Sequence, residues 1–232
     1  MAREHVLCMD ILNYSSSFFD IPRNEPRTVD FESDLESARE KIQAFVNASR
    51  ASGYKIIGFI DKSISTGETL RKWCSRREEE LNSGRRSCVA NMNLILGSIF
   101  QSLGVTVHYS TIDCDDTIAA FAHHMNGSVL SRDCDFFRYY VDYSGTRPPY
   151  QVYFNFSVSY GRLALDRHGG PGRYRVPASP RKILGRLPQT QSTPFFLDEI
   201  GNFSRRSEGL RWIYKRGCGS NLTHEINPHI QV

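Results

Sequence analysis

Apolar residues along the chain fall into short runs that alternate with helical faces. Residues 6–12 (VLCMDIL) form an apolar run broken by one acid, Asp10, and predict a buried strand. Over 35–52, Leu35, Ala38, Ile42, Phe45, Val46 and Ser49 share one face of a helix, and Gly53 supplies its stop. YKIIGFID (54–61) is a short apolar run ending in Asp61, the pattern of a parallel core strand. Ser65-Thr66-Gly67-Glu68 has the S-x-x-E spacing of a capping box and opens a charged helix over 69–82. A strongly apolar helix is predicted over 89–104, ended by Gly104, and VTVHYS (105–110) is the next strand. Acids open a helix over 115–125, where they meet the positive end of its dipole. SVLSRD (128–133) reads as a further strand that again ends in an acid.

Strands alternating with helices imply βαβ units, a parallel sheet and right-handed crossovers. After about residue 141 the pattern changes. YQVYFNFSVSY (150–160) alternates and is aromatic, which predicts a strand or hairpin. Residues 167–195 are rich in Gly, Pro and Arg and read as a long loop or a partly disordered segment, with a short helix expected around 205–215. The expected organisation is an α/β domain over 1–140 and a basic extension over 141–232, part strand and part loop.

Charge sharpens this division. Residues 141–232 carry 13 Lys and Arg against 6 Asp and Glu, a net of +7, whereas residues 1–140 carry a net of −3. The basic part suggests an anionic partner. The overall balance of 40% hydrophobic and 23% charged residues excludes wholesale disorder, a collagen-like repeat and a coiled coil. No apolar run is long enough to span a membrane. The N-terminus does not have the layout of a secretory signal, so a nuclear or cytoplasmic location is expected. The six cysteines form no C-x-x-C pair or zinc-ligand cluster and read as reduced thiols, mostly in the core.

The candidate chemistry lies where the acids fall. In an open α/β sheet, ligands bind beyond the carboxyl ends of the strands. Asp10 lies near the end of the first strand, Asp61 ends the second, Asp113, Asp115 and Asp116 follow the third, and Asp133 and Asp135 follow the fourth. Carboxylates gathered without counter-charge repel, and burying them is costly, so such an ensemble points to bound cations. Hard oxygen ligands favour Mg²⁺ or Mn²⁺. Two such ions about 4 Å apart can activate a water and stabilise the leaving oxygen in phosphodiester hydrolysis. In extended chain, positions i and i+2 face one side. Each of the pairs Asp113/Asp115 and Asp133/Asp135 would then present two carboxylates to one site, with Asp116 a helix cap. The same alternation would turn Cys114 and Cys134 away from the acids, towards the core.

These residues resemble a known superfamily. SVLSRDCDFFRY (128–139) is similar to the S-x-D-x-D motif of the flap endonucleases (XPG-type) and their PIN-like relatives. IDCDDTIAAFA (112–122) resembles the preceding E-A-E-A-x-x-A motif, with Asp113 and Asp115 in the two acidic places. Asp10 matches the family's first-strand Asp, and Asp61 the Asp of its F-D-G strand end. The basic helix that follows, with Arg71, Lys72, Arg76 and Arg77, matches one that contacts the phosphate region in the family. The motif style is closest to the asteroid-type branch, and the resemblance covers roughly residues 6–140. It implies a three-layer α/β/α PIN-like fold and an Mg²⁺- or Mn²⁺-dependent nuclease acting on DNA or RNA, single-stranded or branched. Asp10, Asp61, Asp113, Asp115, Asp133 and Asp135 would be the metal and catalytic residues, and Arg71, Lys72, Arg76 and Arg77 would bind nucleic acid. Ser131 matches the motif's Ser and would orient an acid.

Asp113 and Asp115 stand where the family's motif has Glu, one methylene longer. An inactive PIN-like module that binds nucleic acid or protein is therefore the alternative expectation. His123 and His124 read as surface or core residues. The aromatics Tyr139, Tyr140, Tyr143, Tyr150, Tyr153 and Phe154 read as core before they read as base-stacking platforms.

Overall fold

The computed structural model describes residues 4–19, 31–61, 71, 74–75, 78–79, 82, 92–110, 113–141, 149–167 and 180–192. The chain divides into two units, Met1–Pro194 and Phe195–Val232, and the second lies outside the described residues, as does the helix expected around 205–215. The first unit is mixed α/β. Its strands are β1 (His5–Asp10), β2 (Tyr54–Asp61), β3 (Thr106–Ser110), β4 (Ser128–Leu130), β5 (Tyr139–Tyr140), β6 (Gln151–Ser159), β7 (Arg162–Arg167), β8 (Arg181–Lys182) and β9 (Thr190–Gln191). Its helices are α1 (Ser15–Phe18), α2 (Phe31–Ala51), α3 (Met92–Ser102) and α4 (Cys114–His124). Residues 71, 74, 75, 78, 79 and 82 are also helical, within the span predicted as a charged helix.

A seven-stranded sheet runs in the order β7-β6-β4-β1-β2-β3-β9. β6, β4, β1, β2 and β3 are parallel, and β7 and β9 are antiparallel additions at the edges. Strand alternation sends Leu7, Met9, Ile56 and Ile60 into a core with Ala38, Ile42, Phe45 and Val46 of α2 and Leu96 and Phe100 of α3. Cys8, Ile57, Phe59 and Val129 enter a second core with Ile118, Ala119, Phe121 and Ala122 of α4. Helices thus cover both faces, which is why the central strands are apolar throughout. Among the described residues no helix is long and apolar enough to cross a membrane.

The predicted face of α2 is the buried one: Ala38, Ile42, Phe45, Val46 and Ser49 are buried, and the half-buried Leu35 packs against the core. Ser49 satisfies its hydroxyl by donating to the Phe45 carbonyl at 2.7 Å. Gly53 ends the helical segment at φ +81°, a left-handed conformation open to glycine.

Several boundaries differ from expectation. The sheet does not stop at residue 140: β6 pairs with β4, so residues 151–167 belong to the first unit. β6 and β7 form the predicted hairpin around Tyr160 (φ 50°) and Gly161 (φ 68°), a two-residue turn with both positions left-handed. The stretch 167–195, read as loop, contributes β8 and β9. β9 covers the exposed edge of β3, and Thr190 Oγ1 lies 2.7 Å from His108 Nδ1. β4 ends at Leu130, not at Asp133. Beyond it Asp133 caps a 3₁₀ turn over Cys134–Arg138.

Candidate metal centre

The connection from β1 runs outward through β2 to β3, then crosses back to β4 on the other side of β1. The strand order therefore reverses between β1 and β4, and the crevice beyond the carboxyl ends at such a reversal is where open α/β sheets bind ligands. Asp10 closes β1 at this crevice, and Ser131 and Asp133 follow β4 directly across it.

A hydrogen-bonded chain spans the reversal. Asn13 Nδ2 donates to Asp10 Oδ2 at 2.5 Å and to Ser131 Oγ at 2.8 Å. The buried Ser131 Oγ also accepts the Asp133 N–H at 3.1 Å. Ser131 therefore touches both sides of the site, but through the Asn13 amide and the Asp133 backbone N–H rather than by the expected bond to a carboxylate. Asn13 was not anticipated, although the D-x-x-N spacing of Asp10-Ile11-Leu12-Asn13 is a turn signal that marks it.

The two D-x-D motifs are not extended pairs. In each, the first acid is an N-cap and accepts the backbone N–H of the second: Asp113 Oδ1 from Asp115 at 3.1 Å, and Asp133 Oδ1 from Asp135 at 2.9 Å. Capping explains the departure, since a short carboxylate satisfies an otherwise unpaired N–H of the helical turn that follows. Asp116, expected as the cap, instead accepts from Tyr139 Oη at 2.8 Å and pairs with Arg181. Arg181 also reaches Asp113 Oδ2 at 3.3 Å.

Burial and the charges of neighbouring acids act on Asp10 and Asp115. Burial and then the charge of Asp61 push the Asp10 carboxyl up to about 7; the Asn13 N–H opposes this, and Asp133 adds to it. Burial, followed by the charges of Asp10, Asp113, Asp133 and Asp61, pushes Asp115 up to about 8. Five of the six predicted acids thus share one electrostatic environment. The sixth, Asp135, is adjacent but paired with Arg138 at 3.1 Å. Asp133, Cys134 and Asp135 offer ligand atoms that all lie within 4.8 Å of one another. Cys134 therefore sits beside the acids rather than facing the core, because it lies in a 3₁₀ turn where strand alternation does not apply. Cys114 is in the core as expected, its thiol held well above the usual range by burial and then by the Asp61 and Asp10 charges.

Of the predicted basic residues, Arg71 is helical and exposed, while Lys72, Arg76 and Arg77 lie outside the described residues. Tyr139, Tyr150 and Tyr153 are buried, and Tyr140 and Phe154 are half-buried, whereas Tyr143 lies outside the described residues. His124 is a surface residue whose Nε2 lies 3.1 Å from the Leu184 carbonyl.

A carboxylate set in which burial and neighbouring negative charge push Asp10 and Asp115 up is chemically suited to a hard divalent cation. A scan against models of known protein families finds no match, and a search of curated proteins finds no relative.

Proposed function

We propose that the chain is a metal-dependent nuclease of the PIN-like, flap-endonuclease type, with a three-layer α/β/α fold, hydrolysing phosphodiester bonds of DNA or RNA. The observation that carries this reading is that Asp10, beside the strand-order reversal, and Asp115 are pushed up by burial and by the charges of the neighbouring acids, Asp61 and Asp133 acting on both and Asp113 on Asp115. Asp10, Asp61, Asp113, Asp115, Asp133 and Asp135 would hold Mg²⁺ or Mn²⁺. When bound, the cation would supply charge neutralisation at the phosphate and activation of the attacking water.

The chain's own residues do the rest. Asn13 and Ser131 fix the Asp10 carboxylate and the turn carrying Asp133, so that the ligands are oriented before a cation arrives. Asp10 and Asp115, pushed up to about 7 and about 8 by burial and neighbouring charge, would give up their protons to a bound cation. Arg71, Lys72, Arg76 and Arg77 would steer and hold the phosphate backbone.

The test is cleavage of labelled single-stranded, flap and hairpin substrates, DNA and RNA, with Mg²⁺ or Mn²⁺ present. Cation-dependent cleavage that Asp133→Ala abolishes is expected, and full activity in that variant rejects the site. A second reading, a catalytically inactive PIN-like binding module, draws on the ion pairs that engage Asp113 with Arg181 and Asp135 with Arg138. Salt-sensitive binding to nucleic acid without cleavage in any cation would favour it.

A further inference from the structure

Arg132 lies between Ser131 and Asp133, at the rim of a cluster of carboxylates, yet it pairs with none of them among the described residues. Its neutral neighbours hold it instead. The guanidinium carbon stands 4.9 Å from the centroid of the Tyr14 ring. Nη2 donates to Ser17 Oγ at 2.8 Å and Nη1 to Ser16 Oγ at 3.3 Å. Tyr14 is itself buried and anchored through its hydroxyl, which donates to the Phe154 carbonyl at 2.9 Å.

The Arg138 and Arg181 guanidiniums, by contrast, are neutralised by Asp135, Asp113 and Asp116. A partly exposed arginine fixed by a ring and two hydroxyls keeps its full charge and loses little side-chain freedom when an anion arrives. Each serine hydroxyl accepts from the guanidinium and can still donate its own proton to a phosphate oxygen. Tyr14 follows Asn13 directly and Ser16 and Ser17 lie in α1, so the partners of Arg132 stand on the segment after β1 that also carries Asn13.

We propose that Arg132, with Ser16 and Ser17, binds a backbone phosphate of the nucleic-acid strand at the rim of the acid cluster. The proposal rests on the nuclease reading above, because it takes that site's substrate as its ligand. Arg132 is a substrate-holding residue distinct from the basic residues of the helix after β2.

The test is fluorescence anisotropy of labelled DNA and RNA oligonucleotides with the full chain. Ca²⁺ replaces Mg²⁺ to hold cleavage back, and KCl is varied. Arg132→Gln should weaken binding about three- to tenfold and reduce the slope of log affinity against log salt by about 1. Ser17→Ala keeps the charge and removes one anchor. It should weaken binding with the slope unchanged, and it carries the test if Arg132→Gln does not fold. Wild-type affinity and slope in both variants, alongside tight binding by the wild-type chain, overturn the assignment of Arg132 alone. A wild-type chain that binds no oligonucleotide overturns it together with the nuclease reading. A loss on DNA only, or on RNA only, supports the assignment and identifies the strand held there.

Discussion

Asn13 Nδ2 donates to Asp10 Oδ2 at 2.5 Å, and the same amide reaches Ser131 Oγ at 2.8 Å, so one side chain ties the end of β1 to the turn beyond β4. The acid at the centre of the sheet is thereby aimed by a residue that carries no charge. Removing the amide leaves a partly buried carboxylate and a buried hydroxyl without this partner. Asn13→Ala should cost about 1–3 kcal/mol in urea unfolding. It should also weaken Mn²⁺ binding, because Asp10 is no longer held in place.

The raised pKa values of Asp10 and Asp115 make a pH prediction with a definite sign. Both groups titrate from about 3.8 in the unfolded chain to about 7 and about 8 in the fold. Between those values the folded state binds more protons, so stability falls as pH rises through the window. The cation-free chain should melt at a higher temperature at about pH 5 than at about pH 8, and saturating Mn²⁺ should offset the loss at the upper end. A melting temperature that rises steadily with pH over this range would show that the carboxylates are not crowded.

Asp115 is the clearest single source of that repulsion, with four neighbouring carboxylates acting on it. Asp115→Asn removes the charge and keeps the shape. In the cation-free chain at about pH 8 it should stabilise the fold by a few kcal/mol, less the benefit of an acid in the first turn of α4, about 0.3–1 kcal/mol. The same substitution should abolish cleavage. Chemical denaturation and the cleavage assay read the two opposite effects.

Gly97 of α3 packs against Tyr109 and Ile60, and a Cβ at this position would overlap the Tyr109 hydroxyl. Gly97→Ala should destabilise the protein by about 1–3 kcal/mol through overpacking. Gly97→Ala combined with Tyr109→Phe should recover part of the loss, since the clash is with the oxygen. Urea unfolding of the single and double variants measures the recovery.

The elements set by local pattern were legible in the chain. The YKIIGFID run occupies β2 from Tyr54 to Asp61, and the 3.6-residue spacing of Ala38, Ile42, Phe45 and Ser49 marks the buried face of α2. The convergence of the acids was legible too, because parallel strands deliver their carboxyl ends to one edge. What escaped depends on partners distant in sequence or on competing local bonds. β6 joins β4 through pairing that residues 141–150 do not announce, and β9 reaches β3 across some 80 positions. The D-x-D motifs alternate like strands, but Asp113 and Asp133 bond forward to backbone N–H groups and turn the chain into helical geometry instead. The role of Arg181 depends on β8 lying beside β5, a pairing of two residues that no periodicity marks.

We propose that the Asp10, Asp61, Asp113, Asp115 and Asp133 cluster holds a divalent cation. Equilibrium Mn²⁺ binding to the wild-type chain and to Asp115→Asn, followed by electron paramagnetic resonance of the free ion, tests it most directly. The account predicts saturable binding by the wild type, tighter as pH rises through about 7 to 8, and little or none in the variant. Equal binding by the two proteins, or none by the wild type at about pH 8, would contradict it.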